Sequence, residues 1–291
     1  MQTKTKCYLA GILSLVGCAA SAADFPSAGS DHHLSTVAEQ REHLAQSTRG
    51  KGFGPQSPRD IDRKGGSNAD VFSMAPPIAQ MNLCNIHFHK NAEHKGEAFG
   101  DYAGDGDGHG NESGYRFSGH LTRAELTPLA QPVCAGEHGA LVPGDTIEVH
   151  YVYSTATVRP GPTLNSCLSE SVSNPQLRVD AQVFVLVNDR NAMDFGAVTR
   201  VGQKGGYFQA SDTALQASDM VEYEGSTTGP GYNEKGSPYQ VTWQVNPHVT
   251  KVDIATVGRW CEKNEFEEHH AHGVRNLIEN PALLSPIGTQ G

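Results

Sequence analysis

His87 and His89 stand one residue apart in the run Asn85-Ile86-His87-Phe88-His89-Lys90-Asn91-Ala92-Glu93-His94. Side chains of a strand alternate between faces, so both imidazoles share one face while Ile86 and Phe88 point into packing on the other. Two imidazoles placed this way can grip one metal ion. A lone H-x-H pair means little in a chain with 14 histidines; a third ligand and a partner that orients each ring are also needed. His150 offers the third ligand. It lies in Thr146-Ile147-Glu148-Val149-His150-Tyr151-Val152-Tyr153, a run of β-branched and aromatic residues that reads as a second strand. Glu148 is two residues before His150 on the same face, where its carboxylate can accept the free ring N–H and fix the tautomer. Asn85 has the same relation to His87. Three neutral imidazoles and one open position make a zinc site that activates water. His94, His109, His120 and His138 compete with His150, which is preferred because it alone has a strand around it and an E-x-H partner.

The elements that must position these groups are mostly strands. Met81 to His89 is the first, and Leu177 to Asn188 alternates Val179, Ala181, Val183, Val185 and Val187 with other residues. Tyr239–Val245 and Val249–Val257 read as further strands; Ser211–Met220 and Glu265–Asn280 read as short helices. The expected fold class is mainly β, with few short helices. Gly 32 and Pro 16 suit such a loop-rich chain. Phe99 to Gly114 is rich in Gly and Asp, but counting from Asp105 the twelfth position is Arg116, where a calcium loop needs a bidentate Glu. It reads as a solvated loop.

Of 291 residues, 22 are basic and 32 acidic, a formal net charge of -10 that argues against nucleic acid and anionic membrane surfaces as partners. Lys4 and Lys6 precede a short apolar run, Cys7 to Gly17, too short for a membrane span. Residues 1–22 therefore read as a signal peptide. Two endings compete: Ala20-Ser21-Ala22 as a cleavage site, giving soluble export, and Leu15-Val16-Gly17-Cys18 as a lipobox, giving a lipid anchor on Cys18 and an outer-membrane lipoprotein. Either way the protein is exported, to a periplasm or beyond the cell. Residues 23–51 are polar and read as a flexible arm, followed by a 52–291 domain. Past residue 22 four cysteines remain, Cys84, Cys134, Cys167 and Cys261. In an oxidising compartment they suggest two disulfides, with three pairings open.

The run His87-Phe88-His89-Lys90-Asn91-Ala92-Glu93-His94 resembles the alpha-class carbonic anhydrase metal strand, and Asn85 through Gly96 is most similar to the delta-class, carbonic anhydrase-like family. Gln56-Ser57-Pro58-Arg59-Asp60-Ile61, Tyr223-Glu224-Gly225-Ser226-Thr227-Thr228-Gly229-Pro230 and Val241-Thr242-Trp243 resemble further alpha-class motifs in the same chain order. The gap from His89 to His150 is longer than in the alpha class. The resemblance implies the architecture, a single domain with a large central mixed or antiparallel, alpha-carbonic-anhydrase-like sheet crossed by the metal strands, and a zinc lyase, a carbonate dehydratase, that interconverts CO2 and bicarbonate by zinc-hydroxide attack. It implies His87, His89 and His150 as zinc ligands. Thr228 would accept the hydroxide's proton and Glu93 would accept from Thr228. Val152, two beyond His150 on the same face, Val183 or Val185, and Thr227 would wall the CO2 pocket. The alternatives on the same residues are an esterase-like zinc hydrolase and an exported zinc-binding protein without turnover.

Overall fold

The computed structural model describes residues 36–70, 72–210, 218–229, 231 and 233–288, which belong to one compact unit. The expected signal peptide and Cys18 lie outside the described residues. So does most of the expected helix Ser211–Met220. Among the described residues no helix is long and apolar enough to cross a membrane.

Five strands form the central sheet: β1 (Asn82–Lys90), β2 (Thr146–Ser154), β3 (Leu177–Val187), β4 (Val221–Ser226) and β5 (Gln240–Asp253), in the order β1-β2-β3-β5-β4. The β3–β5 pair is parallel and the others antiparallel, so the sheet is mixed, as expected. Every residue of β2 is buried because neighbours flank it on both sides and apolar layers cover both faces. One layer gathers Ile86, Phe88, Val149, Phe184, Leu186 and Trp260; the other gathers Val152, Val179, Ala181, Val183 and Trp243. Strict alternation along β1 would put Leu83 on the face of Asn85 and His87. The pairing instead shifts between Leu83 and Asn85. This bulge sends Leu83 into the first layer beside Ile86 and Phe88 and leaves Asn85 with the histidines.

Three expectations are corrected here. The stretch 23–51 is not wholly a flexible arm, because α1 spans Val37–Thr48. Thr36 and Glu39 form a capping box, and Val37, Gln40, Leu44 and Thr48 are buried along one side. Only two of those four are apolar, so the amphipathic signal was weak. The strand expected over Val249–Val257 ends early. β5 runs through Pro247 with a shifted register between Val245 and Val249, as fits a residue with no N–H to give the ladder. At Asp253 the chain turns into α3 (Ile254–Glu262), the carboxylate capping Ala255 N–H at 3.1 Å. A four-residue helix, α2 (Phe195–Val198), precedes it. The expected helix Glu265–Asn280 is absent. There the backbone runs alongside β1: His272 N–H donates to Phe88 O at 2.9 Å and Lys90 N–H to His272 O at 3.0 Å.

Cys84 pairs with Cys167 and Cys134 with Cys261, which suits an oxidising compartment. The Gly/Asp loop is mostly exposed or half-buried, as expected of a solvated loop, and is held by its own hydrogen bonds. Asp107 accepts from the N–H groups of His109 and Asn111. Gly110, at φ +95°, brings the loop so close to residue 274 that a Cβ would stand 2.2 Å from Val274 O.

Candidate metal centre

The register of β1 on β2 sets His87 opposite His150 and His89 opposite Glu148. All three imidazoles therefore leave the sheet on one face. Their ring centroids are 5.3 Å (87–89), 5.0 Å (87–150) and 4.7 Å (89–150) apart. One nitrogen from each lies within 4.8 Å of the others.

Each ring is oriented through its other nitrogen. His87 Nδ1 is 2.7 Å from Asn85 Oδ1, His89 Nδ1 is 2.9 Å from Gly273 O, and His150 Nε2 is 2.8 Å from Glu148 Oε1. Each partner is an oxygen that can only accept, so each of those nitrogens carries the proton. The remaining nitrogens, His87 Nε2, His89 Nε2 and His150 Nδ1, present lone pairs to one another. His87 Nε2 and His150 Nδ1 are 3.2 Å apart, close to the roughly 3.3 Å between two nitrogens around a tetrahedral zinc ion. His89 Nε2 is buried and, among the described residues, has no hydrogen-bond partner. A buried, unpaired nitrogen is costly, and an ion at the centre of the three would relieve that cost. The donor set therefore fits zinc, and equally another borderline divalent ion.

Electrostatics favour the neutral rings such an ion requires. Burial, then the neighbouring imidazoles, hold His87 well below the ordinary histidine range. His89 is pushed down to about 4, chiefly by burial, which outweighs the attraction of Glu93. The metal-free protein should therefore lose stability on acidification. Its folded state resists protonation of His89 while the unfolded chain takes it up near 6.5, so stability is full above about pH 6.5 and drains as the pH falls toward about 4. For His89 alone the loss is on the order of 3 kcal/mol. Thermal melts of chelator-treated protein at pH 7, 5.5 and 4 check this; a melting curve no steeper in pH than that of His89→Gln would refute it.

The rings open into a cavity of about 550 Å³ whose wall includes His87, His89, Leu164, Thr228 and His272. His150 is buried behind them. The long 90–149 stretch contributes as well, since His109, Glu112 and the 136–141 turn line the same cavity. His94 is not a member of the triad. It is fully buried, its Nδ1 at 2.6 Å from Glu148 Oε1 and its Nε2 at 2.6 Å from Tyr223 Oη. His109 and His138 line the cavity, and His120 is exposed; among the competitors His150 is the one that meets His87 and His89.

Glu93 is buried. Its Oε1 accepts the Arg275 backbone N–H at 2.7 Å, and its Oε2 is 3.9 Å from His150 Nε2. Thr228 reaches the cavity wall, but among the described residues no hydrogen bond joins it to Glu93. The loop carrying Thr227 and Thr228 is anchored at both ends by the Gln56-Ser57 pair. Ser57 Oγ donates to Ser226 O, and the Gln56 side chain exchanges hydrogen bonds with the Ser237 backbone. Val152, Val183, Val185 and Thr227, expected as pocket walls, do not line the cavity. Val152 and Val183 sit inside the second apolar layer, and Leu164, on the turn held by the Cys84–Cys167 bridge, packs against that layer and supplies an apolar wall instead. The sequence reading missed Gly273, Arg275 and Tyr223. The two glycine and arginine contacts go through backbone atoms and leave no spacing signal. Tyr223 was visible only as part of a loop motif.

A family model described as delta carbonic anhydrase matches residues 78–256. No curated protein matches the sequence. Among solved structures, the chain is similar to the alpha-carbonic anhydrase of Thermovibrio ammonificans, determined with the inhibitor sulfanilamide, at 15% identity over 82% of this chain and 88% of that one, with a TM-score of 0.29. The Photobacterium profundum alpha-carbonic anhydrase gives 16% over 82% and 92%, TM-score 0.28. A halotolerant carbonic anhydrase from Dunaliella salina gives 16% over 82% and 87%, TM-score 0.30.

Proposed function

Since the chain belongs to the delta carbonic anhydrase family, we propose that it is an exported zinc lyase that interconverts CO2 and bicarbonate. The observation that carries this reading is the convergence of three lone-pair nitrogens, each ring fixed by a partner on its far side, at a cavity open to solvent. Zinc held by His87, His89 and His150 would supply an activated water, lowering its pKa to about 7. The rest falls to the chain's own groups. Asn85, Gly273 and Glu148 hold the three rings in the tautomers that leave the lone pairs free. Thr228, on the cavity wall, would orient the attacking oxygen by accepting its proton in a hydrogen bond, and the buried Glu93 would accept from Thr228 in turn. Leu164 offers an apolar surface on which CO2 would rest. A histidine on the wall suits proton release to buffer, because histidine titrates near neutrality.

The test is metal analysis paired with stopped-flow CO2 hydration on the exported form. About one zinc per chain is expected, with hydration lost on chelation and restored by zinc. Stoichiometric zinc with no hydration would leave a zinc-binding protein on this scaffold and overturn the enzymatic reading.

A further inference from the structure

Residues 273–277 form a ladder in which every residue is tied down. Gly273 O accepts from His89 Nδ1, Val274 N–H donates to Gly110 O, and Arg275 N–H donates to Glu93 Oε1. Asn276 N–H donates to Asn233 Oδ1 and its side-chain amide to Gln40 Oε1. Leu277 O accepts from Arg41 Nε at 2.9 Å. The first and third rungs hold a metal-site imidazole and the buried glutamate. The last two are held by α1, which lies outside the span matched by the family model.

Gln40 is the centre of that grip. It is 5% exposed, on the helix side that faces the protein. A buried amide is costly unless both ends are paired. Here its Nε2 donates to Gly108 O at 2.7 Å in the Gly/Asp loop, while its Oε1 takes the Asn276 side chain. One side chain thus joins the loop that carries His109 and Glu112 of the cavity wall to the ladder that orients His89.

We infer that Gln40 is a positioning residue for the metal centre, acting through Asn276 and the 273–275 backbone on His89 and Glu93. This rests on the reading that the three imidazoles hold a metal. Gln40→Met keeps the volume and removes both hydrogen bonds. It should speed zinc release to a chelator by about tenfold, the low end for groups that orient ligands, and lower kcat with KM nearly unchanged. In the metal-free protein, amide exchange at Gly273, Val274 and Arg275 should quicken while exchange within β2 does not. Glu39→Ala, which weakens the cap of α1 but leaves the bridge, is the control and should release zinc at the parent rate. Asn276→Ala should match Gln40→Met, and the double variant should add little. Unchanged exchange at 273–275 in Gln40→Met overturns the inference, and so does an equal rise in zinc release in Glu39→Ala. If the parent protein held no zinc, the functional reading would fail, and the exchange measurement would still decide whether Gln40 holds the ladder.

Discussion

Replacing His89 with alanine will strip the protein of most of its zinc and of CO2 hydration. His89 Nε2 is buried and, among the described residues, has no hydrogen-bond partner, so its lone pair is free to meet an ion. Loss of a group that merely orients a ligand costs about 10–100-fold in metal affinity, and loss of the ligand itself exceeds that. The nucleophile goes with the ion, since water without it is a far weaker acid than zinc-bound water, which ionises at about pH 7. The fold should survive. His89 is the last residue but one of β1 and faces the cavity, and Phe88 and Ile86, which anchor that strand in the core, are untouched. Elemental analysis after dialysis against a mild chelator and stopped-flow hydration decide the matter. A variant that keeps both its zinc and its turnover would remove the basis of the proposed function.

Glu148→Ala will cost both stability and metal. This carboxylate is fully buried and accepts four donors: Glu93 N–H at 2.8 Å, His94 N–H at 3.0 Å, His94 Nδ1 at 2.6 Å and His150 Nε2 at 2.8 Å. Burial alone would raise its pKa. The favourable field and hydrogen bonds of the His94 and His150 ring N–H groups overcome that and hold it well below the carboxylate range, so it is an anion at neutral pH. Its removal leaves two backbone amides and two imidazole N–H groups unpaired in the core. Each buried donor left unpaired costs about 1–3 kcal/mol, so after local relaxation the loss of all four is about 3–5 kcal/mol, which for a domain of this size lowers the melting temperature by roughly 6–20 °C. Zinc affinity should fall about 10–100-fold, because His150 loses the partner that fixes its tautomer. Calorimetry and a competitive chelator assay measure the two effects. A melting temperature within about 2 °C of the parent, a shift expected from less than about 1 kcal/mol, would show that the four contacts carry little.

Both predictions concern residues that were legible in the sequence, and for a physical reason. A strand repeats every two residues, so H-x-H, N-x-H and E-x-H each name two side chains on one face without any knowledge of the rest of the chain. Metal chemistry then ties the faces together. What stayed hidden lacks such a local period. The bulge at Cys84 is a pairing irregularity with no residue signature. The acceptor for His89 is a backbone carbonyl 184 positions away, at Gly273. Val152 and Val183 do share the face of His150 and Glu148, but sequence could not show that the turn ending at Cys167 packs against them. The helix α1 was missed because half of its buried side is a glutamine and a threonine, polar groups that are buried only because other loops meet them.

His87 stands directly across from His150, on strands whose pairing joins residues 63 apart. A slip of one residue between the strands would turn one of the two rings to the opposite side of the sheet. An ion held by these imidazoles, as proposed, would therefore serve as a gauge of alignment: it could be gripped only by chains that have matched the two strands correctly. In a refolding mixture, free zinc at a hundred times its dissociation constant would favour the correct alignment by about 2.7 kcal/mol over every misaligned rival, proofreading a sheet that the backbone alone could pair in more than one way.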